Sequence, residues 1–513
     1  MNWKRTVAIV QKLCEHFASI PNEYDQLKRE DINISPIKQK DIPQFQPVQV
    51  YVILNELKTN KSTVEGDIPA KLFKEFAAHL AEPLSHIYNS SLLQGEYPKI
   101  YKFEVSTPVP KKYPVEKIED MRNISGLLTA DKVFEKLLAE LIISDMKLSA
   151  DVSQFGNQRN TSIQHYLVKM IHKIHTALDN NSRRQIFAVV ANLIDWNSAF
   201  VRQCPKLGIE SFQKNRVRNS LIPVLISYFQ ERYQTVKWRG FNSSLTRING
   251  GGPQGATFGI LEYLSQSNNS ADCVGQDEQY KFVDDLSFLE IVNLLTVGLC
   301  SLNVKHQVPS DMLEDNQFIP PESLKSRKYL NNTNLLTQNQ KMKINTFKTK
   351  TVIFNFTNNY QFRTRLQLGG ELLDTVSETK LLGTILKSDI KWQQNKNNII
   401  RKTYSKMELI RKLSGFGAPV SDLKNIYMTF VRSHYEQSSV VWHSGLTLQE
   451  EFFLEMVQKV ALKIILKDQY ISYDKALNFL QVESLKDRRI SRCLAFAKKC
   501  LGNPKMKKNL PPK

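Results

Sequence analysis

The chain has 513 residues, 41% of them hydrophobic and 23% charged, which argues against a disordered polypeptide and leaves room for more than one core. Lysine and arginine number 70 against 50 acids, giving a formal charge of +20, so a polyanionic partner is expected, nucleic acid being the usual one. No apolar stretch approaches the ~20 residues of a membrane span, so no membrane association is expected.

Residues 3–19 are predicted to form an amphipathic helix with Val7, Val10, Leu13, Cys14 and Phe17 on one face. The polar stretch that follows is interrupted by Pro21, Pro36, Pro43 and Pro47 and reads as a linker, so residues 1–47 are assigned as helix plus linker. From 48 to about 180 the pattern is mainly helical, broken by the extended piece "FEVSTPVPKKYP". "IFAVVANLI", residues 186–194, is a β-branched apolar run suited to a buried strand, and it ends at Asp195. A Gly- and Pro-rich turn, "INGGGPQG", leads into a helix, and "YKFVDDLSFLE" suggests a hairpin with Asp284 and Asp285 at its turn. Residues 300–340 read as an irregular insertion, "TKTVIFNF" and "TKLLGTILKS" as short strands, and 393–513 as basic helices. Lys or Arg outnumber acids eight to two between Asn395 and His434, and ten to one between Lys486 and Lys513.

Two adjacent aspartates in an apolar run need a cation or full hydration, because carboxylates about 4 Å apart repel by roughly 4 kcal/mol at a protein's effective dielectric. Asp195 at a neighbouring strand end could join them, and three carboxylate groups make a hard-cation site of the kind that suits Mg²⁺. The six cysteines are scattered without C-x-x-C spacing, so neither a disulfide framework nor a zinc knuckle is expected. A reduced protein of nucleus or cytoplasm, not a secreted one, fits this usage. His165, His172 and His175 share one side of the segment "IQHYLVKMIHKIHTALD", which reads as a solvated or RNA-facing surface and not as a metal cluster.

Taken in order, these segments resemble the reverse transcriptases of non-LTR retrotransposons of the jockey-like kind. The resemblance runs from about residue 48 to about 470 through "LKTNKSTVEGDIPAKLFKE", "EPLSHIYNSSLLQGEYPKIYKFEVSTPVPKK", "DMRNISGLLTADKVFEKLL", "QFGNQRNTS", "LIDWNSAF", "GGGPQGATFG", "FVDD", "INTFKTKTVIF" and "KLLGTIL". Each motif alone is weakly specific, whereas nine in the family's order are strongly so. The resemblance implies an α+β right-hand polymerase fold. Fingers and palm would occupy 48–392, the palm's antiparallel sheet carrying the aspartates, and a helical thumb with basic extension 393–513.

By the same resemblance, Asp195 and Asp284 would be metal ligands with Asp285 as supporting acid, binding Mg²⁺ or alternatively Mn²⁺. Phe200 would stack under the incoming sugar and exclude a 2′-hydroxyl. Lys111 and Arg122 would hold the triphosphate, and Gln254 and Gly255 would approach nucleotide and template. Lys348 would protonate the leaving pyrophosphate, and Leu382 and Gly383 would grip the primer end. The expected partners are an RNA template, a DNA primer and deoxynucleotides, with the basic helices clamping the duplex backbone.

Val201, Asn123, Glu65, Phe258 and Ile260 depart from the family pattern. They fit either a divergent subfamily or a decaying copy, and so leave the alternative of a catalytically inactive retroelement remnant that only binds RNA or DNA. An RNA-dependent RNA polymerase is a second rival, opposed by the "FVDD" form and Phe200. Neither an endonuclease nor a ribonuclease H domain is expected in this chain.

Overall fold

The computed structural model describes residues 3–61, 63–146, 151–182, 185–268, 277–295, 321–357 and 364–507. They form two compact units between which the chain passes repeatedly. One contains 1–151, 196–272 and 333–344, and the other 152–195, 273–332 and 345–513. The mixture of helices and largely antiparallel sheets is the α+β class expected. Among the described residues no helix is long and apolar enough to cross a membrane.

In the first unit, β1 (Phe103–Pro110) pairs antiparallel with β2 (Met121–Gly126) and parallel with β4 (Arg232–Trp238). The short strands β5 (Phe241–Asn242) and β6 (Thr246–Ile248) both pair with β4. The amphipathic helix Trp3–Ser19 buries Val10, Leu13, Cys14 and Phe17 with Met121 and Val236, while Val7 stays exposed. The proline-rich stretch read as a linker is not solvated along its length. Leu27, Ile32 and Phe45 enter the core built by helices Pro47–Asn55, Ala77–Gln94, Thr129–Met146 and Ile222–Phe229. Its widely spaced apolar residues follow neither helical nor strand periodicity, so composition alone hid this role.

The second unit is organised around a sheet of order β12-β9-β3-β8-β7. These are Asp374–Thr375 (β12), Lys350–Phe354 (β9), Phe187–Ile194 (β3), Asp285–Asn293 (β8) and Gln279–Phe282 (β7). All neighbours are antiparallel except β12 and β9. β3 is central and buried from Ala188 to Ile194, with Val189, Ala191 and Leu193 packing against Tyr166, Met170 and Ile174 of helix Ile163–Asp179. A strand covered on both faces needs the unbroken apolar run that its sequence supplies. Two hairpins follow, β10 (Gln367–Leu368) with β11 (Glu371–Leu372) and β13 (Glu378–Leu381) with β14 (Thr384–Lys387), then a helical region from Gln393 onward.

Within the stretch expected to be an irregular insertion, Lys325–Asn339 is a helix, and residues 296–320 lie outside the described residues. Its buried positions include Ser326, Leu330, Thr333 and Thr337, a helical spacing built mostly of hydroxyl side chains that a hydrophobicity pattern misses. The Glu290 carboxylate accepts from the N–H groups of Lys325 (2.8 Å) and Ser326 (2.7 Å) and starts this helix.

Candidate active site

The second unit brings four of the expected site residues together. β3 and β8 pair with the register Ile194↔Leu286, so one further step sets Asp195 across from Asp285. β3 and β9 pair up to Leu193↔Lys350; beyond that the register shifts by three residues to the bridge Trp196↔Ile344, and the turn formed between them carries Lys348. Asp195 and Asp285 therefore lie side by side on adjacent strands, and the Lys348 ammonium is close enough for its charge to act on Asp195. Asp284 precedes Asp285 in the tight β7–β8 turn, whose last pair is Phe282↔Asp285.

Backbone contacts fix the end of β3 against the turn that carries Lys348. The Asp195 N–H donates to the Thr349 hydroxyl (3.2 Å), and the Asp195 carbonyl accepts from the Asn345 N–H (2.8 Å). The Lys348 N–H donates to the Asn345 side-chain oxygen (3.2 Å), which holds the "INTFK" turn against the strand end.

The carboxyl groups feel one another. Burial, joined by the charges of Asp284 and then Asp195, raises the Asp285 carboxyl to about 7. Burial also raises Asp195, opposed by the Lys348 ammonium and reinforced by Asp284. Carboxylate oxygens are hard donors suited to Mg²⁺ or Mn²⁺, and a divalent charge would relieve the repulsion recorded in these shifts, so the donor set fits such an ion. The side chains are not drawn into a finished cage. Among the described residues no three His, Cys, Asp or Glu are grouped closely enough to hold a metal.

A second cluster lies in the first unit. Lys111 directly follows β1, its N–H donating to the Asp120 carbonyl (2.7 Å) and its ammonium to the Glu119 carbonyl (2.8 Å). Arg122 is exposed on β2, paired with Val109. The Gln254 carbonyl accepts from the Ser125 N–H of β2 (2.8 Å), and Gly255 next to it has φ +123°, a conformation that favours glycine. The Phe200 carbonyl accepts from Gly252 of the same glycine-rich turn (2.9 Å), and its ring lies 5.5 Å from that of Tyr263. Backbone contacts thus string Lys111, Arg122, Gln254, Gly255 and Phe200 along one hairpin and one turn.

Glu135 was not singled out from the sequence. Its buried carboxylate accepts from the Thr257 N–H (2.9 Å) and the Tyr228 hydroxyl (2.9 Å), anchoring the helix that follows the GPQG turn.

Leu382 and Gly383 are the two turn residues between β13 and β14, with φ of +46° and +85°. Positive φ at both places is the signature of the tightest hairpin loop.

The carboxy-terminal basic helices make several ion pairs within the chain. Arg488 (2.9 Å), Arg492 (2.8 Å) and Arg432 (3.1 Å) all reach the Glu436 carboxylate, while Lys486 (3.3 Å) and Arg489 (3.6 Å) reach Glu451. This side of helix Leu485–Leu501 serves internal packing, and Arg489 is 2% exposed. His165 likewise is buried, its ring 4.7 Å from that of Phe496, whereas His172 and His175 are exposed as expected. Of the cysteines, Cys14, Cys204, Cys493 and Cys500 are free thiols, and Cys273 and Cys300 lie outside the described residues.

No protein-family model matches the chain. Two telomerase structures from Candida tropicalis align with it, each at a TM-score of 0.36. The apo form is 13% identical over 82% of this chain and 72% of the other; the form complexed with a fragment of telomeric RNA is 11% identical over 83% and 67%. Among curated Drosophila melanogaster proteins, the probable RNA-directed DNA polymerase from transposon X-element is 23% identical over 271 residues, 51% of this chain. That from transposon BS is 24% identical over 379 residues, 72% of this chain. The matches span 29% and 39% of those relatives' lengths. The recognition drawn from motif order is thereby met: the chain is similar to RNA-directed DNA polymerases of transposons.

Proposed function

We propose that this chain is the reverse-transcriptase portion of a mobile element, adding deoxynucleotides to a DNA primer on an RNA template. The observation that carries the reading is Asp195 set beside Asp285 on adjacent strands, with Asp284 in the adjoining turn and the charge of Lys348 acting on Asp195. The β12-β9-β3-β8-β7 sheet would be the palm, 48–392 the fingers and palm, and 393–513 the thumb with its extension.

Asp195 and Asp284 would hold the divalent cations and Asp285 would support them. Bound there, Mg²⁺ or Mn²⁺ supplies Lewis-acid activation of the primer 3′-hydroxyl and neutralises charge on the leaving pyrophosphate. The primer 3′-hydroxyl gives up its proton to solvent and its oxygen forms the new bond to the α-phosphorus as the bond to pyrophosphate breaks. The Lys348 ammonium is placed beside Asp195 and would give its proton to the leaving group. Lys111 and Arg122 would hold the triphosphate, Arg122 by the fork geometry that suits phosphate oxygens. Phe200 would reject the 2′-hydroxyl, Gln254 and Gly255 would admit nucleotide and template, and Leu382 and Gly383 would seat the primer end.

Purified protein is expected to extend a DNA primer on an RNA template with Mg²⁺ and deoxynucleotides, and to use ribonucleotides poorly. Asp284→Asn should abolish extension while leaving primer–template binding within about twofold. Template binding without any extension, over a range of Mg²⁺ and Mn²⁺ concentrations, would establish the inactive-remnant reading instead.

A further inference from the structure

The turn that carries Asp284 is strained, and a neighbouring segment braces it. Val283, its first residue, has φ +55°, a left-handed conformation costly for a β-branched side chain and natural to glycine. Residues 153–156 run along the free edge of β7. The Lys281 N–H donates to the Ser153 carbonyl (2.9 Å), and the Phe155 N–H donates to the Lys281 carbonyl (2.8 Å). Between them Gln154, 3% exposed, turns its amide oxygen onto the turn, accepting from the N–H groups of Val283 (2.9 Å) and Gly156 (2.8 Å). A Cβ at Gly156 would lie 2.5 Å from the Val283 nitrogen, so only glycine allows this approach.

We propose that Gln154 is a positioning residue, its amide oxygen locking the Val283–Asp284 turn in the left-handed form and so setting where the Asp284 carboxylate points. A residue held in a sparsely populated conformation persists only when its surroundings over-determine it, and the paired acceptance by Gln154 does this. The inference rests on the polymerase reading for its purpose, but the clamp is testable without it.

The test replaces Gln154 with Leu, similar in size and lacking the acceptor, in the full chain. Amide hydrogen exchange at Val283 is expected to quicken at least tenfold while the thermal midpoint of the whole protein stays near wild type. Mn²⁺ binding, read by paramagnetic relaxation of water, should weaken at least tenfold, and kcat for primer extension should fall with little change in primer KM. Val283→Gly in the same background should restore Mn²⁺ binding and kcat, because glycine takes the turn conformation unaided. If Gln154→Leu does not fold, this double variant is expected to, and its failure overturns the clamp. Unchanged Val283 exchange in Gln154→Leu also overturns it. A wild type that neither extends primers nor binds Mn²⁺ defeats the polymerase reading, while the exchange measurement still decides the clamp.

Discussion

The charge on Asp195 helps hold the Asp285 carboxyl near 7, with burial and Asp284 contributing more. The two residues stand opposite one another where β3 ends and β8 begins, so the Asp285 carboxyl feels the charge on Asp195 directly. Replacing Asp195 by Asn removes one of the three causes. The Asp285 titration, followed by carboxyl carbon NMR in metal-free buffer, should move downward and remain above the ordinary carboxylate range. No movement would mean that the pair does not interact.

Stability should depend on pH through the same carboxyl. Asp285 is raised in the folded state, so its contribution is fully present below the unfolded value of 3.8 and is lost as pH rises through about 7. In metal-free buffer the melting temperature should therefore fall between pH 5 and 8, and less so in Asp285→Asn. Mg²⁺ at a hundred times its dissociation constant should restore about 2.7 kcal/mol at pH 8. Much less should be restored at pH 5, or in Asp284→Asn, as chemical denaturation would show.

Glu262 offers a second pH effect, in the other unit. It is fully buried on helix Thr257–Ser267, accepts from the Gln266 amide (3.2 Å), and burial raises its carboxyl to about 8. Its stabilising contribution is present below the unfolded value of 4.5 and disappears as pH climbs through 8. Glu262→Gln should flatten the stability profile across that window by up to about 1.4 kcal/mol per pH unit. Above pH 8 the variant should be the more stable protein. Urea unfolding at several pH values measures this.

Gly383→Ala separates two costs at one turn. An added Cβ would come 2.2 Å from the Gln437 side-chain nitrogen, but a flexible amide end can move aside. The φ of +85° cannot be relieved in that way, and it should cost roughly 1–2 kcal/mol. Gly383→Asn, which tolerates positive φ better, should lose less. Adding Gln437→Ala to Gly383→Ala should recover only a small part, which equilibrium unfolding would resolve.

Much of the second unit could be read from its sequence because its determinants are local. The apolar run 186–194 could only be a covered strand, and two aspartates inside an apolar segment imply a turn. The pairing that sets Asp195 beside Asp285, and the turn that brings Lys348 to Asp195, were not legible, since they join residues ninety apart for Asp195–Asp285 and about one hundred and fifty for Asp195–Lys348. Gln154 escaped notice because a buried glutamine that serves two backbone N–H groups has no periodic signature. Strand β4 and its two partners β5 and β6 were hidden for a related reason. The inward-facing positions of β4 include Arg232 and Gln234, so the hydrophobic alternation that betrays a strand is missing. At the carboxy terminus, charge counts could not reveal which cations face carboxylates of the same chain.

Internal pairing of these cations would limit how tightly a duplex could be gripped. Of the ten cations between Lys486 and Lys513, four are already matched internally: Arg488 and Arg492 with Glu436, and Lys486 and Arg489 with Glu451. Counterion release scales with the phosphates a protein newly neutralises, not with its tally of lysines and arginines. The logarithmic dependence of affinity on salt should accordingly be shallower than ten contacts would give. Guanidinium groups committed to Glu436 act as a latch for helix Leu485–Leu501, and cations so committed add little to the grip on a phosphate backbone.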